Sequence, residues 1–146
     1  VTGLVWILVG CEPAPESTPL PDVDAAAFAE LVEPVFEVSC ANAACHGDLA
    51  RPLSLYAPLR HRMEESRLFL DEELTDQELA HNLRSAAAFL VDVDQTEECD
   101  LLRKPLAERW GGARHAGGDV FLDPYEPDYV DVAAWIDDQL GVEEAR

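Results

Sequence analysis

Positive charge is scarce in this chain. Its 146 residues hold 10 Lys and Arg against 30 Asp and Glu, a formal net charge of −20 at pH 7. Nucleic-acid binders need a basic face that displaces counterions, so that class is excluded. Anionic lipid headgroups would repel the chain in the same way. No apolar run approaches the roughly 20 residues that cross a bilayer as a helix, which excludes a transmembrane span. Methionine occurs once and histidine four times, so thioether and imidazole ligands are few enough to weigh singly. What is abundant is apolar surface. Hydrophobic residues make up 48% of the chain, enough for a packed core and too much for wholesale disorder. At roughly 150 residues per domain, the length fits one domain plus short extras. The acidity favours solubility and would steer a basic partner, or it simply forms a solvated face.

The N-terminus reads as a processing signal. Val1 to Gly10 (VTGLVWILVG) is apolar and uncharged, with the length of a secretory h-region and no preceding Lys or Arg. It ends in Leu8-Val9-Gly10-Cys11, which resembles the lipobox of bacterial lipoproteins. That resemblance implies diacylglycerol on the Cys11 thiol and a new N-terminus there. The alternative is a buried N-terminal strand with an incidental cysteine. Glu12 to Pro21 (EPAPESTPLP) carries Pro13, Pro15, Pro19 and Pro21 and cannot pack as a helix or central strand. It should run as an extended tether of about 30 Å, at roughly 3 Å per residue. The expected organisation is a signal over 1–10, a lipidated cysteine and tether over 11–21, a folded domain over 22–141 and a tail over 142–146. The lipid would anchor the chain to a membrane, facing the periplasm or the cell surface.

The domain reads as all-α with large loops. Phe28, Leu31, Val32, Val35 and Phe36 form one helical stripe, with Asp22 or Asp24 to cap it and Pro34 to kink it near Glu33. Thr75 to Glu78 is a capping box ahead of a second stripe, Leu79, Leu83, Ala86, Ala87 and Leu90. A short helix is expected around Leu101 and Leu102, ending before Pro105. A last helix should open at Asp123-Pro124, present Tyr129, Val132, Ala133, Ile136 and Leu140 with Trp135 beside them, and stop at Gly141. Gly47 to Pro58 and Gly111 to Gly118 are loops by their glycine and proline content, and Val120-Phe121-Leu122 is too short to argue for a sheet.

The chemistry concentrates in Ser39-Cys40-Ala41-Asn42-Ala43-Ala44-Cys45-His46-Gly47. Two thiols and an imidazole within seven residues suit haem attachment. Two cysteines bond the two vinyl groups as thioethers, and the histidine after the second reaches the iron. The usual spacing places two residues between the cysteines. Here there are four, so the intervening loop must bulge, which Ala41, Ala43, Ala44 and the turn-former Asn42 make easy. Three other uses of these side chains compete: a Cys40–Cys45 disulfide, a zinc site lacking an obvious fourth ligand, and a nucleophilic Cys-His pair lacking an orienting group.

With its helix before the motif and its helix at the far end, the domain resembles a cytochrome c. It is closer still to the cytochrome-like domains of myxobacterial-type lipoproteins with a CxxxxCHG motif. Pro52-Leu53-Ser54-Leu55, Leu101 to Leu106, His115-Ala116-Gly117-Gly118 and Tyr129 to Ile136 carry the rest of the likeness over 22–140. It implies packed N- and C-terminal helices around a haem slot, haem c held by Cys40, Cys45 and His46, and single-electron transfer to a redox partner protein. No feature demands enzymatic turnover, so an electron carrier is the expectation. A non-haem interaction module stapled by Cys40–Cys45 and a haem-based sensor are the alternatives.

The iron's other face has four candidates: His61, Met63, His81 and His115. His81 should point to solvent, about 200° round the helix from Leu79. His61 and Met63 lie among charged residues. His115 sits in a run with four glycines, where backbone can approach a flat ligand, just before the C-terminal helix. His115 is therefore the expected distal ligand, with Met63 second. Bis-histidine ligation would give a low potential and methionine a higher one. Arg103, Lys104, Arg109 and Arg114 are available to pair with propionates or with the acidic surface. Cys99 is left over, either buried beside Leu101 and Leu102 or, without haem, a partner for Cys40 or Cys45.

Overall fold

The structure, a computed structural model, describes residues 19–141. The expected signal, the lipidated Cys11, most of the tether and the tail at 142–146 lie outside the described residues. Among the described residues the protein is helical and has no strand. Residues 25–40 form one helix, α1, from four contiguous pieces: Ala25–Ala27, π-helical Phe28–Val32, Glu33–Val35 and π-helical Phe36–Cys40. The Asp24 carboxylate caps it, accepting from the Ala26 and Ala27 amides at 2.8 and 3.0 Å. Pro34 cannot donate a backbone hydrogen bond. The interruption expected near Glu33 takes the form of wide π turns on both sides of Glu33–Val35, a change of winding that re-aims the side chains that follow.

Three further helices follow: α2 (Asp76–Ala87), the one-turn α3 (Asp100–Arg103) and α4 (Pro127–Leu140). α4 begins at Pro127, not at Asp123-Pro124. Asp123 instead accepts from the Tyr125 amide in a tight turn, and Glu126 accepts from the Leu122 amide. A second proline then takes the first helical position, where its missing N–H costs nothing. The helix stops at Gly141, whose φ of 65° is left-handed.

α1 packs against α4. Phe28 meets Trp135 and Phe36 edge-on at 5.5 and 5.9 Å between ring centroids. The Trp135 indole donates to the Asp24 carbonyl, and Gln139 accepts from the Asp24 amide at 2.8 Å. The start of α1 and the second half of α4 are thereby fixed to each other. Val32, Leu102, Val132 and Ile136 complete this buried centre. Residues 105–107 and 120–121 lie side by side through a parallel Leu106–Phe121 bridge, and together they close one flank.

α2 departs from its apolar pattern. Leu79 and Leu83 are only half-buried, whereas Glu78 and Asn82 are fully buried. Asn82 brackets Tyr56, accepting from its amide at 2.9 Å and donating to its carbonyl at 2.8 Å. The same amide group donates to both Glu33 carboxylate oxygens, at 3.0 and 3.2 Å. Burial pushes the Glu33 carboxyl up to about 8, against the Asn82 hydrogen bonds and with help from Glu37. The unfolded carboxyl ionises near 4.5, so between 4.5 and about 8 the folded state holds a proton the unfolded state has lost. This contribution to stability is complete below pH 4.5, declines as pH rises and is gone above about 8. Glu33→Gln should flatten that slope. Thermal melts of both proteins across this range check it, and parallel curves would refute it.

Candidate functional site

The end of α1 winds directly into the cysteine loop. Asn42 organises it: its carbonyl accepts from the Cys45 and Gly47 amides at 2.8 and 2.9 Å, and its side chain accepts from Ala44 at 3.0 Å. The His46 amide closes the turn onto the Cys40 carbonyl at 3.2 Å. A Cβ at Gly47 would lie 2.6 Å from the Ala41 carbonyl oxygen, so only glycine fits after His46. The four-residue spacing is therefore accommodated by a compact bulge of small residues.

Cys40, Cys45, His46 and His115 all line one cleft of about 310 Å³. That volume is in the range of small-molecule and cofactor sites. Phe36, Pro52, Leu53, Phe89, Leu101 and Val120 supply apolar walls, and Arg51, Asp100 and Lys104 supply charge. The His46 and His115 rings lie within 10° of parallel, with centroids 5.9 Å apart. Each ring is held from behind. His46 Nδ1 is 3.0 Å from the Leu53 carbonyl, and His115 Nδ1 is 3.2 Å from the Gly118 carbonyl. A carbonyl only accepts, so Nδ1 donates in both, and Nε2 is left free of that bond. Burial holds the His46 pKa below its usual value, against the Leu53 hydrogen bond, with His115, Arg51 and Lys104 adding to the effect. Imidazoles anchored through Nδ1 by a carbonyl are the arrangement common among metal-ligating histidines.

Cys40 and Cys45 are free thiols. Burial pushes Cys40 up to about 12, with Cys45, Asp128 and Glu33 adding to it. Among the described residues, no group of three or more His, Cys, Asp and Glu side chains is placed to hold a bare metal ion. The donor set does fit a haem. With Nδ1 of each ring at a backbone carbonyl, His46 and His115 would have Nε2 left to hold a haem iron in this cleft. The two thiols stand on the same cleft, beside apolar walls suited to a flat macrocycle.

The other candidates lie elsewhere. Met63 is 43% exposed and borders a separate depression with Glu64 and Thr75. His61 stacks on Tyr56 at 6.0 Å. His81 does not face solvent, contrary to its helical angle. Its Nε2 lies 3.0 and 3.1 Å from the Ser54 hydroxyl and carbonyl oxygens, and its ring meets Tyr56 edge-on. The 54–56 segment covers that face of α2. Cys99 is fully buried, its thiol donating to the Phe89 carbonyl at 3.6 Å. Of the four clustered cations, only Lys104 lines the cleft; Arg103 pairs with Asp100, and Arg109 donates to the Leu122 carbonyl. Arg51, which the sequence reading passed over, takes the place expected of them.

Comparison with protein-family models, with curated proteins and with solved structures finds no match.

Proposed function

We propose that the chain is a c-type cytochrome domain, an exported, lipid-anchored electron carrier with a cytochrome c-like arrangement of its first and last helices around haem c. The observation that carries this reading is the near-parallel His46–His115 pair, 5.9 Å apart in the cleft that also holds both motif cysteines. Haem, when bound, supplies a reversible one-electron change at iron. The chain does the rest. Cys40 and Cys45 would each add across one vinyl group, sulfur to one carbon and hydrogen to its neighbour. His46 and His115 would present their Nε2 lone pairs, oriented by the Leu53 and Gly118 carbonyls. Phe36, Leu53, Phe89 and Leu101 would keep water from the ring, and Arg51 and Lys104 would oppose its carboxylates. A second histidine in the cleft favours an electron carrier over a gas sensor, and two free thiols do not favour the stapled module.

The test is expression in a host competent for c-type maturation. Wild type should show sharp α and β bands on reduction and keep its haem through acid-acetone extraction. Cys40→Ala/Cys45→Ala should release all of it. A wild-type chain with no Soret absorption, or with a Cys40–Cys45 disulfide, would sink the reading.

A further inference from the structure

The carbonyl that holds the His46 ring belongs to the Leu53–Ser54 peptide, and that peptide is bonded at both ends. Its carbonyl accepts from His46 Nδ1 at 3.0 Å, and its N–H donates to the Ser85 hydroxyl oxygen at 2.9 Å. Ser85 is a half-buried residue of α2 and does not line the cleft. Its hydroxyl thus reaches the imidazole through a single planar, conjugated amide. An acceptor on a peptide N–H pushes electron density toward the carbonyl oxygen of the same peptide. Hydrogen bonds joined in this way strengthen one another.

The rest of the 53–56 segment is fastened independently. The Leu55 amide donates to the His46 carbonyl at 2.7 Å, His81 Nε2 lies 3.0 and 3.1 Å from the Ser54 hydroxyl and carbonyl oxygens, and Asn82 brackets Tyr56. Bonds to His46 leave from Leu53 and Leu55, and bonds to α2 leave from Ser54 and Tyr56, the period-two alternation of extended backbone. His81 and Ser85, at i and i+4, stand on one face of α2 beside Asn82. Loss of the Ser85 hydroxyl therefore removes one contact and leaves the segment in place.

We propose that Ser85 is a positioning residue for the proximal haem ligand: its hydroxyl, acting through the Leu53–Ser54 peptide, strengthens the hydrogen bond on His46 and biases the iron toward its ferric form. This rests on the cytochrome reading above and names a control on the same site. A stronger bond from Nδ1 makes Nε2 a more basic ligand. A more basic axial ligand favours the higher charge on iron, so the hydroxyl lowers the potential.

The test compares haem-loaded wild type with Ser85→Ala, Ser85→Thr, Ser85→Cys and Leu79→Ala. Alanine removes the acceptor, threonine keeps a hydroxyl, and cysteine offers a sulfur that accepts only weakly. Leu79→Ala loses apolar packing on the same helix without touching the Ser54 amide. Titration with one-electron mediators should shift the reduction equilibrium of Ser85→Ala about threefold toward ferrous iron. Proton NMR of the reduced proteins in D2O should show the His46 Nδ1 proton exchanging faster in Ser85→Ala than in wild type. Ser85→Thr should restore both values, and Ser85→Cys should fall between. Leu79→Ala should melt earlier with its potential unchanged. A haem-loaded Ser85→Ala with wild-type potential and exchange overturns the role of Ser85 alone. So does a threonine variant that matches alanine, or a Leu79→Ala potential shift as large as that of Ser85→Ala. A wild-type chain that carries no covalent haem overturns both readings.

Discussion

Replacing His115 with alanine should leave the haem covalently attached and change its iron. In the proposed reading attachment would run through Cys40 and Cys45, which line the same cleft as His115. His115 lies in a half-exposed turn, bonded only to the Gly118 carbonyl, so its loss should move stability by about 0.5 kcal/mol or less. Ligation is another matter. Without the second imidazole, the reduced protein should bind carbon monoxide, the ferric Soret band should move toward the high-spin position, and added imidazole should reverse both. The wild type should refuse carbon monoxide. Gly117→Ala tests placement separately from identity. A Cβ there would stand 3.0 Å from His115 Cε1 and 3.4 Å from Nδ1, close enough to push the ring off its axis. Its spectrum should fall between those of wild type and His115→Ala. Carbon monoxide binding by wild type equal to that of His115→Ala would show that His115 is not a ligand.

How far the sequence discloses this architecture depends on which forces were periodic. The α1 stripe and the α4 stripe repeat at helical spacing because both pack on apolar neighbours, and the structure places both in the core. The Thr75–Glu78 capping box is local chemistry and is present as expected. Gly141 and Asp24 likewise cap where their types predict. α2 was legible only in part. Its inner face carries Glu78 and Asn82, buried because they satisfy Arg62, Tyr56 and Glu33, none of them near in sequence. Apolar counting is blind to such pairs. His81 departs from its expected exposure for the same reason: its angle is sound but its neighbour is the 54–56 segment, not water. At the site, adjacency marked Cys40, Cys45 and His46. The glycines marked His115 by permitting close approach, and Gly117 does sit against its ring. Arg51 carried no signal, because a cation in a loop resembles any surface cation until the cleft is seen.

Glu78→Ala should be the most damaging single change outside the cleft, costing about 3–5 kcal/mol. The carboxylate faces the Arg62 guanidinium, accepting from Nε at 3.0 Å and Nη2 at 2.8 Å. It also accepts from the Met63 amide at 2.8 Å, and from the Thr75 amide and hydroxyl at 2.9 and 3.0 Å. Arg62 places two further donors on the Glu72 and Glu73 carbonyls, each at 2.9 Å, and is 2% exposed. Removing Glu78 thus leaves a buried cation unpaired and the Thr75 amide without its half of the capping box, two penalties at once. Against a typical domain stability of about 5–15 kcal/mol the loss is a large share. Urea titration should show the midpoint fall with an unchanged slope. Glu78→Ala/Arg62→Met, which removes both charges, should recover part of it. The pair also predicts acid behaviour. Burial alone would raise the Glu78 pKa, but the Arg62, Thr75 and Met63 hydrogen bonds overcome it and hold it at about 2. Its contribution is therefore full above the unfolded value of 4.5 and is lost only as pH falls toward 2, opposite in sign to that of Glu33. Wild type should thus lose stability between pH 4.5 and 2 while Glu78→Ala loses less over the same range. Equal losses in the two proteins would show that this ion pair is not what fastens the 59–73 loop to α2.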